Sequence, residues 1–280
     1  MRIGIIGSGI VGEATGKAFH SFGNHVVFCD KDLKKLSVLK KEGHYVLPSI
    51  EDVTKQSDVI FVCVDTPIDK KNHQDLTSIA SVIPQIADGL NACNSKTSVI
   101  VRSTLLPNTN RVLNEELRNE TDNKDWEYFY NPEFLRTETA LEDALTPDRI
   151  VVGGVTDNFK TVEELYNDQP ATPLITTGLE EAEMIKLVSN NFLATKISFF
   201  NEMGMLSRKM KLDVRTIEQA VALDSRIGKY GTRSGFKMKG CLIKDGISFD
   251  SKYPTKILRN ALKLNEKYLE PKDQDAVYEF

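Results

Sequence analysis

The stretch RIGIIGSGIVGEATGKAF, residues 2–19, decides the fold. RIGIIG (2–7) is an apolar, β-branched run of strand length closed by glycine. Gly7-Ser8-Gly9-Ile10-Val11-Gly12 forms G-x-G-x-x-G, and VGEATGKAFHSF (11–22) then takes up helical spacing. Glycines between a strand and a helix permit a tight turn and close approach of a pyrophosphate, whose charge faces the helix N-terminus. The next apolar run, HVVFCD (25–30), ends on Asp30, 18 residues past Gly12. An acid there accepts hydrogen bonds from the ribose hydroxyls of NAD and repels the 2′-phosphate of NADP. NAD is the expected cofactor.

The alternation continues outward. DVIFVCV (58–64), TSVIVRS (97–103), WEYFYN (126–131) and RIVVGG (149–154) read as further strands, and LTSIASVIPQIADGL (76–90) as a helix. KTVEELYN and TPLITT add one more helix and strand. Near-continuous apolar strands alternating with helices predict a parallel sheet covered on both faces. After Gly178 the pattern changes. Residues 179–211 carry apolar side chains at helical spacing with no proline, which predicts one helix of roughly eight to nine turns. Beyond it, 213–280 reads as shorter helices interrupted by a loop over 226–250. The expected fold is α/β: a Rossmann-type doubly wound parallel sheet, a long connecting helix and a small all-helical domain. The expected divisions are 1–177, 178–270 and a loose tail, 271–280.

Composition narrows the function. Of 280 residues, 40% are hydrophobic and 27% charged, as in ordinary globular proteins, and the net charge of −4 argues against nucleic acid or an anionic membrane as partner. No run approaches the ~18 apolar residues of a membrane-spanning helix, and the glycine-bearing N-terminus does not read as a signal peptide. The four cysteines lie far apart, with no C-x-x-C pair, which fits a reducing cytoplasm rather than a disulfide framework. Cys29, Cys63 and Cys93 read as apolar filler. The four histidines show no ligand spacing, so no metal is expected.

Further motifs follow in order: VDTP (64–67), RSTLLPNT (102–109), NPEFLRTETA (131–140), DRIVVGG (148–154), EAEMIKLVSNNFLATKISFFNE (181–202), SRIG (225–228) and CLIKD (241–245). Together they resemble the UDP-glucose/GDP-mannose dehydrogenase family over about residues 1–250. The resemblance implies a UDP-glucose 6-dehydrogenase-like enzyme of polysaccharide biosynthesis. It would oxidise the C6 alcohol of a nucleotide sugar to a carboxylate with two NAD and one cysteine. Cys241 would be the nucleophile, forming a thiohemiacetal and then a thioester. Lys186 and Asn190, at i and i+4 on the long helix, would stabilise the oxyanion. Asp245 would take part in proton transfer, Thr104 would help hold a water, and Glu133 would act as general base. Gly7, Gly9, Ile10, Val11, Gly12, Asp30, Thr66 and Lys244 would bind the cofactor. Arg226 would reach the substrate of the neighbouring subunit in a homodimer formed through the helix 179–211.

Four departures stand out. Family members carry a third, nucleotide-holding α/β domain, and no βαβ pattern follows Asp250, so a partner is expected to replace that surface. The segment between Gly43 and Asp58 is short and expected to lack one strand. GFKMKGC (235–241) replaces a glycine-rich approach to the cysteine, so Lys237, Met238 and Lys239 either reshape the sugar pocket or bring cations toward a phosphate. Thr137 stands where a second acid is expected, with Glu138 adjacent. Two other readings stay open: a two-electron β-hydroxyacid-type dehydrogenase, which needs neither Cys241 nor NPEF, and a non-catalytic NAD-binding subunit that needs a partner to hold substrate.

Overall fold

A computed structural model describes residues 1–93, 95–169 and 171–267. Two compact units divide the chain. The first is Met1–Pro67 with Gln74–Lys186, and the second is Ile68–His73 with Leu187–Phe280.

The first unit is built on an eight-stranded sheet: β1 (Arg2–Ile6), β2 (His25–Cys29), β3 (Tyr45–Val46), β4 (Val59–Val62), β5 (Thr97–Val101), β6 (Trp126–Tyr130), β7 (Ile150–Gly154) and β8 (Leu174–Gly178). Its order is β3-β2-β1-β4-β5-β6-β7-β8. The first six strands run parallel in the dinucleotide-binding order 3-2-1-4-5-6, so the crossover reverses between β1 and β4, where such sheets bind ligands. The central strands β1, β4 and β5 are buried on both sides because both faces are covered there. Ile60, Val62, Val99, Val101, Tyr128 and Tyr130 pack on one face with α4 (Thr77–Asn91) and the start of α8 (Leu179–Lys209). Ile3, Ile5, Phe61, Ile100 and Phe129 pack on the other with Phe19 of α1 (Ile10–Ser21).

Two expectations for the sheet are corrected. β7 runs antiparallel to β6, with Tyr130 opposite Gly153, and β8 follows β7, so the sheet is not wholly parallel. The segment 43–58 does hold a strand, the two-residue β3, paired with Val27 and Phe28. Short helices α2 (Leu33–Lys41), α3 (Ile50–Lys55), α5 (Thr109–Glu120), α6 (Ala140–Leu145) and α7 (Lys160–Leu165) complete the unit, with a 3-10 turn at Thr137–Thr139.

In the second unit α8 continues from the first, joined by α9 (Val214–Ala222), α10 (Cys241–Lys252) and α11 (Lys256–Lys267). The loop expected to run to 250 therefore ends at Gly240. Gly246 lies inside α10 because a Cβ there would stand 3.1 Å from a methyl of Leu262, where α10 packs on α11. No helix among the described residues is long and apolar enough to cross a membrane. The tail expected at 271–280 lies outside the described residues.

Candidate active site

The glycines after β1 divide their work. Gly7 has φ +93°, and a Cβ on it would lie 2.7 Å from the carbonyl oxygen of Cys63. A Cβ on Gly12 would lie 1.9 Å from the carbonyl oxygen of Gly7, so the first turn of α1 can sit against the loop only as glycine. A Cβ on Gly9 would meet nothing within 4 Å. Gly9 is the N-cap of α1 with no capping side chain, and Ile10 beside it is more than half exposed. The first-turn N–H groups that a capping side chain would have occupied remain available to a phosphate. Asp30 is buried at the carboxyl end of β2, where its carboxylate accepts from the N–H groups of Ser8 (2.7 Å) and Asp32 (2.8 Å). A glycine cradle open at Gly9, with an acid fixed beside it, fits a dinucleotide diphosphate and ribose.

Across the switch point, Thr66 donates from Oγ1 to the carbonyl of Thr104 at 3.0 Å. Gln74, which the sequence reading missed, closes this loop. Its Nε2 donates to the same carbonyl at 2.8 Å, and its Oε1 accepts from the N–H of Leu106 at 3.2 Å. A residue 30 positions away in the chain carries no local signal of that clamp.

β6 stops at Asn131-Pro132 because proline cannot donate to a ladder. Asn131 is held by Arg102 and by Tyr166 (2.6 Å), and it donates to the carbonyl of Val151 at 2.7 Å. Glu133 thus emerges at the carboxyl end of β6, buried. Its carboxylate accepts from Lys186 Nζ at 2.8 Å and from the N–H of Leu135 at 2.6 Å. Burial alone would push Glu133 up, but the Lys186 ammonium, the Leu135 N–H and the Arg102 guanidinium together hold it below the usual carboxylate range. Lys186 lies over the ring of Phe134 at 5.5 Å, and Arg149 lies over it at 3.9 Å. One turn earlier on α8, fully buried Glu183 accepts from Asn110 N–H and Nδ2, both at 2.8 Å, and from Asn108 N–H at 2.7 Å. It thereby caps α5. Burial nevertheless pushes this carboxyl up.

Asn190 stands four residues beyond Lys186 on α8 and belongs to the second unit. Its Nδ2 donates to Asp245 Oδ2 of α10 at 2.7 Å, both residues buried. Asp245 Oδ1 lies 3.4 Å from Lys244 Nζ and has no hydrogen-bond partner among the described residues. Cys241 is the first residue of α10 and is exposed. Cys29 and Cys63 are buried, and burial pushes their thiols up to about 11 and about 12. Arg226 is exposed and turned to Asp224 at 2.6 Å. Two asparagines fix the loop ahead of Cys241. Asn201 of α8 accepts from Gly235 N–H (2.8 Å) and donates to the Phe236 carbonyl (2.8 Å). Asn265 of α11 accepts from Met238 N–H (2.8 Å) and donates to its carbonyl (3.3 Å). No group of three or more candidate metal ligands occurs among the described residues.

The predicted residues thus assemble as one group around Glu133 and Lys186, with Thr66 and Thr104 bonded to each other, and a second group around Asn190 and Asp245. A glycine cradle at the switch point of a 3-2-1-4-5-6 sheet defines a dinucleotide-binding protein of the Rossmann class. Residues 1–169 match the NAD binding domain of the UDP-glucose/GDP-mannose dehydrogenase family, and residues 180–267 match its central domain; the chain belongs to that family. UDP-glucose 6-dehydrogenase TuaD of Bacillus subtilis (strain 168) is 30% identical over 95% of this chain and 63% of its own length. A UDP-glucose 6-dehydrogenase of Rhizobium meliloti (strain 1021) is 31% identical over 95% and 68%. Among solved structures, a UDP-glucose dehydrogenase from the hyperthermophilic archaeon Pyrobaculum islandicum matches with a TM-score of 0.87 at 28% identity, covering 95% of this chain and 68% of that one. The chain therefore spans about three fifths of the length of TuaD.

Proposed function

We propose that this chain carries out NAD-dependent oxidation of a nucleotide sugar at C6, from primary alcohol to carboxylate. The observation that carries this reading is the buried Glu133–Lys186 pair at the carboxyl end of the sheet; within the second unit, Asn190 and Asp245 form a buried bond of their own. Burying charged groups is costly unless they are paired, and buried ionised pairs cluster at functional sites.

Gly7, Gly9, Ile10, Val11, Gly12, Asp30, Thr66 and Lys244 would hold NAD, which supplies the hydride acceptor for both oxidations. The chain's own groups handle the carbon and the protons. Asp245 takes part in removing the proton of the C6 hydroxyl as the aldehyde forms. Cys241 Sγ, at a helix start whose dipole favours a thiolate, adds to the aldehyde carbon and forms a thiohemiacetal. Lys186 and Asn190 donate to its oxygen while the charge is there. The second oxidation leaves a thioester on Cys241. Thr104 helps hold a water, and Glu133, kept ionised by Lys186, takes the water's proton as its oxygen attacks. The Cys241 thiolate leaves and the C6 carboxylate is released.

Val188, Phe192, Phe199 and Leu206 of α8 are all about half exposed or more. A row of exposed apolar side chains on one helix supports a homodimer through this helix, with Arg226 serving the partner's substrate.

The test is to count NADH formed per molecule of UDP-glucose, a UDP-N-acetylhexosamine or GDP-mannose consumed. Two per substrate is expected, and Cys241→Ser should stall after the first oxidation. One NADH per substrate, or full turnover by Cys241→Ser, refutes the cysteine route.

A further inference from the structure

The twenty residues 225–244 contain Arg226, Lys229, Arg233, Lys237, Lys239 and Lys244 and no aspartate or glutamate, in a chain whose net charge is −4. Arg226 is paired with Asp224, and Lys244 with Asp245. No carboxylate among the described residues pairs with Lys229, Lys237 or Lys239. The side chain of an exposed lysine is ordinarily flexible and hydrated. Here the backbone between two of these lysines is fixed.

Met238 is only 2% exposed, and its N–H and carbonyl are both taken by the side chain of Asn265. Asn201 takes the N–H of Gly235 and the carbonyl of Phe236. With Met238 turned inward, Lys237 and Lys239 flank it on the outer side, the first half-buried and the second exposed. Two lysines this close in the chain, neither paired with a carboxylate among the described residues, suit a group with two neighbouring charged centres better than a single carboxylate. Lysine is a compact point charge suited to phosphate, and an ordered backbone lowers the entropy lost on binding. Cys241 follows two residues after Lys239.

We propose that Lys237 and Lys239 are the phosphate-recognition element of this chain, taking the diphosphate of a nucleoside diphosphate sugar whose C6 is presented to Cys241. The assignment rests on the reading of Cys241 as the nucleophile. Point charges read the diphosphate and not the base, so this element selects nucleotide sugars over free sugars and leaves the choice of base to other residues.

The experiment is calorimetric titration of the full chain, with NAD present, using UDP and inorganic pyrophosphate as probes. Lys237→Gln/Lys239→Gln should weaken both about tenfold or more, since two charge-assisted contacts are lost, and should flatten the dependence on salt. Lys237→Arg/Lys239→Arg should restore binding. NAD affinity and melting temperature should not change, because the anchoring runs through Met238 and Asn265. Equal probe affinity in the glutamine variant, or no probe binding to the native chain, overturns the proposal. The binding measurement needs no turnover, so the two readings separate. Lysine-dependent binding of pyrophosphate without oxidation of any nucleotide sugar would sink the dehydrogenase reading and leave the anion site. Oxidation with an unchanged KM in the glutamine variant would do the reverse.

Discussion

Replacing Lys186 with methionine tests the electrostatic logic of the candidate site without reference to its substrate. At 2.8 Å, with an effective dielectric constant of about 20, the Glu133–Lys186 attraction is about 6 kcal/mol. Several kcal/mol per ion are needed to remove the two charges from water, so the pair's net contribution is far smaller than that attraction. Removing one partner is different, because Glu133 is left as a buried carboxylate bonded to the Leu135 N–H. Lys186→Met should therefore cost about 3–5 kcal/mol at neutral pH. The pH dependence follows from the same groups. In the native chain burial raises Glu133, and Lys186, Leu135 and Arg102 lower it by more. That stabilisation is present above the unfolded carboxylate value and is lost as pH falls through the lower, folded one. Without Lys186 the burial effect dominates and the folded value moves above the unfolded one. The variant's deficit should then shrink as pH falls through that raised folded value, because Glu133 takes up a proton in the folded state. Guanidinium denaturation of the native chain, Lys186→Met and Lys186→Met/Glu133→Gln at about pH 5 and about pH 7.5 reads this directly. The double variant should recover most of the loss. A deficit independent of pH, or a double variant no more stable than the single one, would refute the reasoning.

Alanine at two glycines of one motif should separate folding from binding. Gly12→Ala forces a Cβ to 1.9 Å from a main-chain oxygen and should lower the melting temperature sharply, whereas Gly9→Ala meets nothing and should cost about 1 kcal/mol or less as a cap change, while NAD affinity, measured by fluorescence titration, falls at least about tenfold. Asn265→Ala strips both partners from the buried main chain of Met238 and should cost about 1–3 kcal/mol in denaturant titration, with no change at the NAD site.

The nucleotide-binding half was legible because each sign is local. Glycine spacing, a β-branched run and a terminal acid all fall within thirty residues, and Gly7 and Gly12 prove to be required by contacts that a Cβ would violate. The direction of β7 was not legible, since an apolar strand reads alike in either orientation and only its ladder with β6 sets the sense. β3 escaped because two residues carry no periodicity. The start of α10 escaped for a chemical reason: Gly240 caps it at φ 61° without a side-chain bond, so the usual serine or aspartate signal is missing. Lys186 and Asn190 were legible as an i, i+4 pair, but their partners lie 53 and 55 residues away, and only tertiary structure supplies those. Gln74 and Glu183 belong to the same class: each acts on main-chain groups of a distant loop, where its side chain leaves no pattern.

The asparagines that hold the loop before Cys241 bond to main-chain atoms alone. Scaffold and recognition are therefore written in different atoms of the same residues. A change at Lys237 or Lys239 alters which anion is met without moving the cysteine that follows, so this segment can acquire a new substrate by point mutation while its geometry is inherited unchanged.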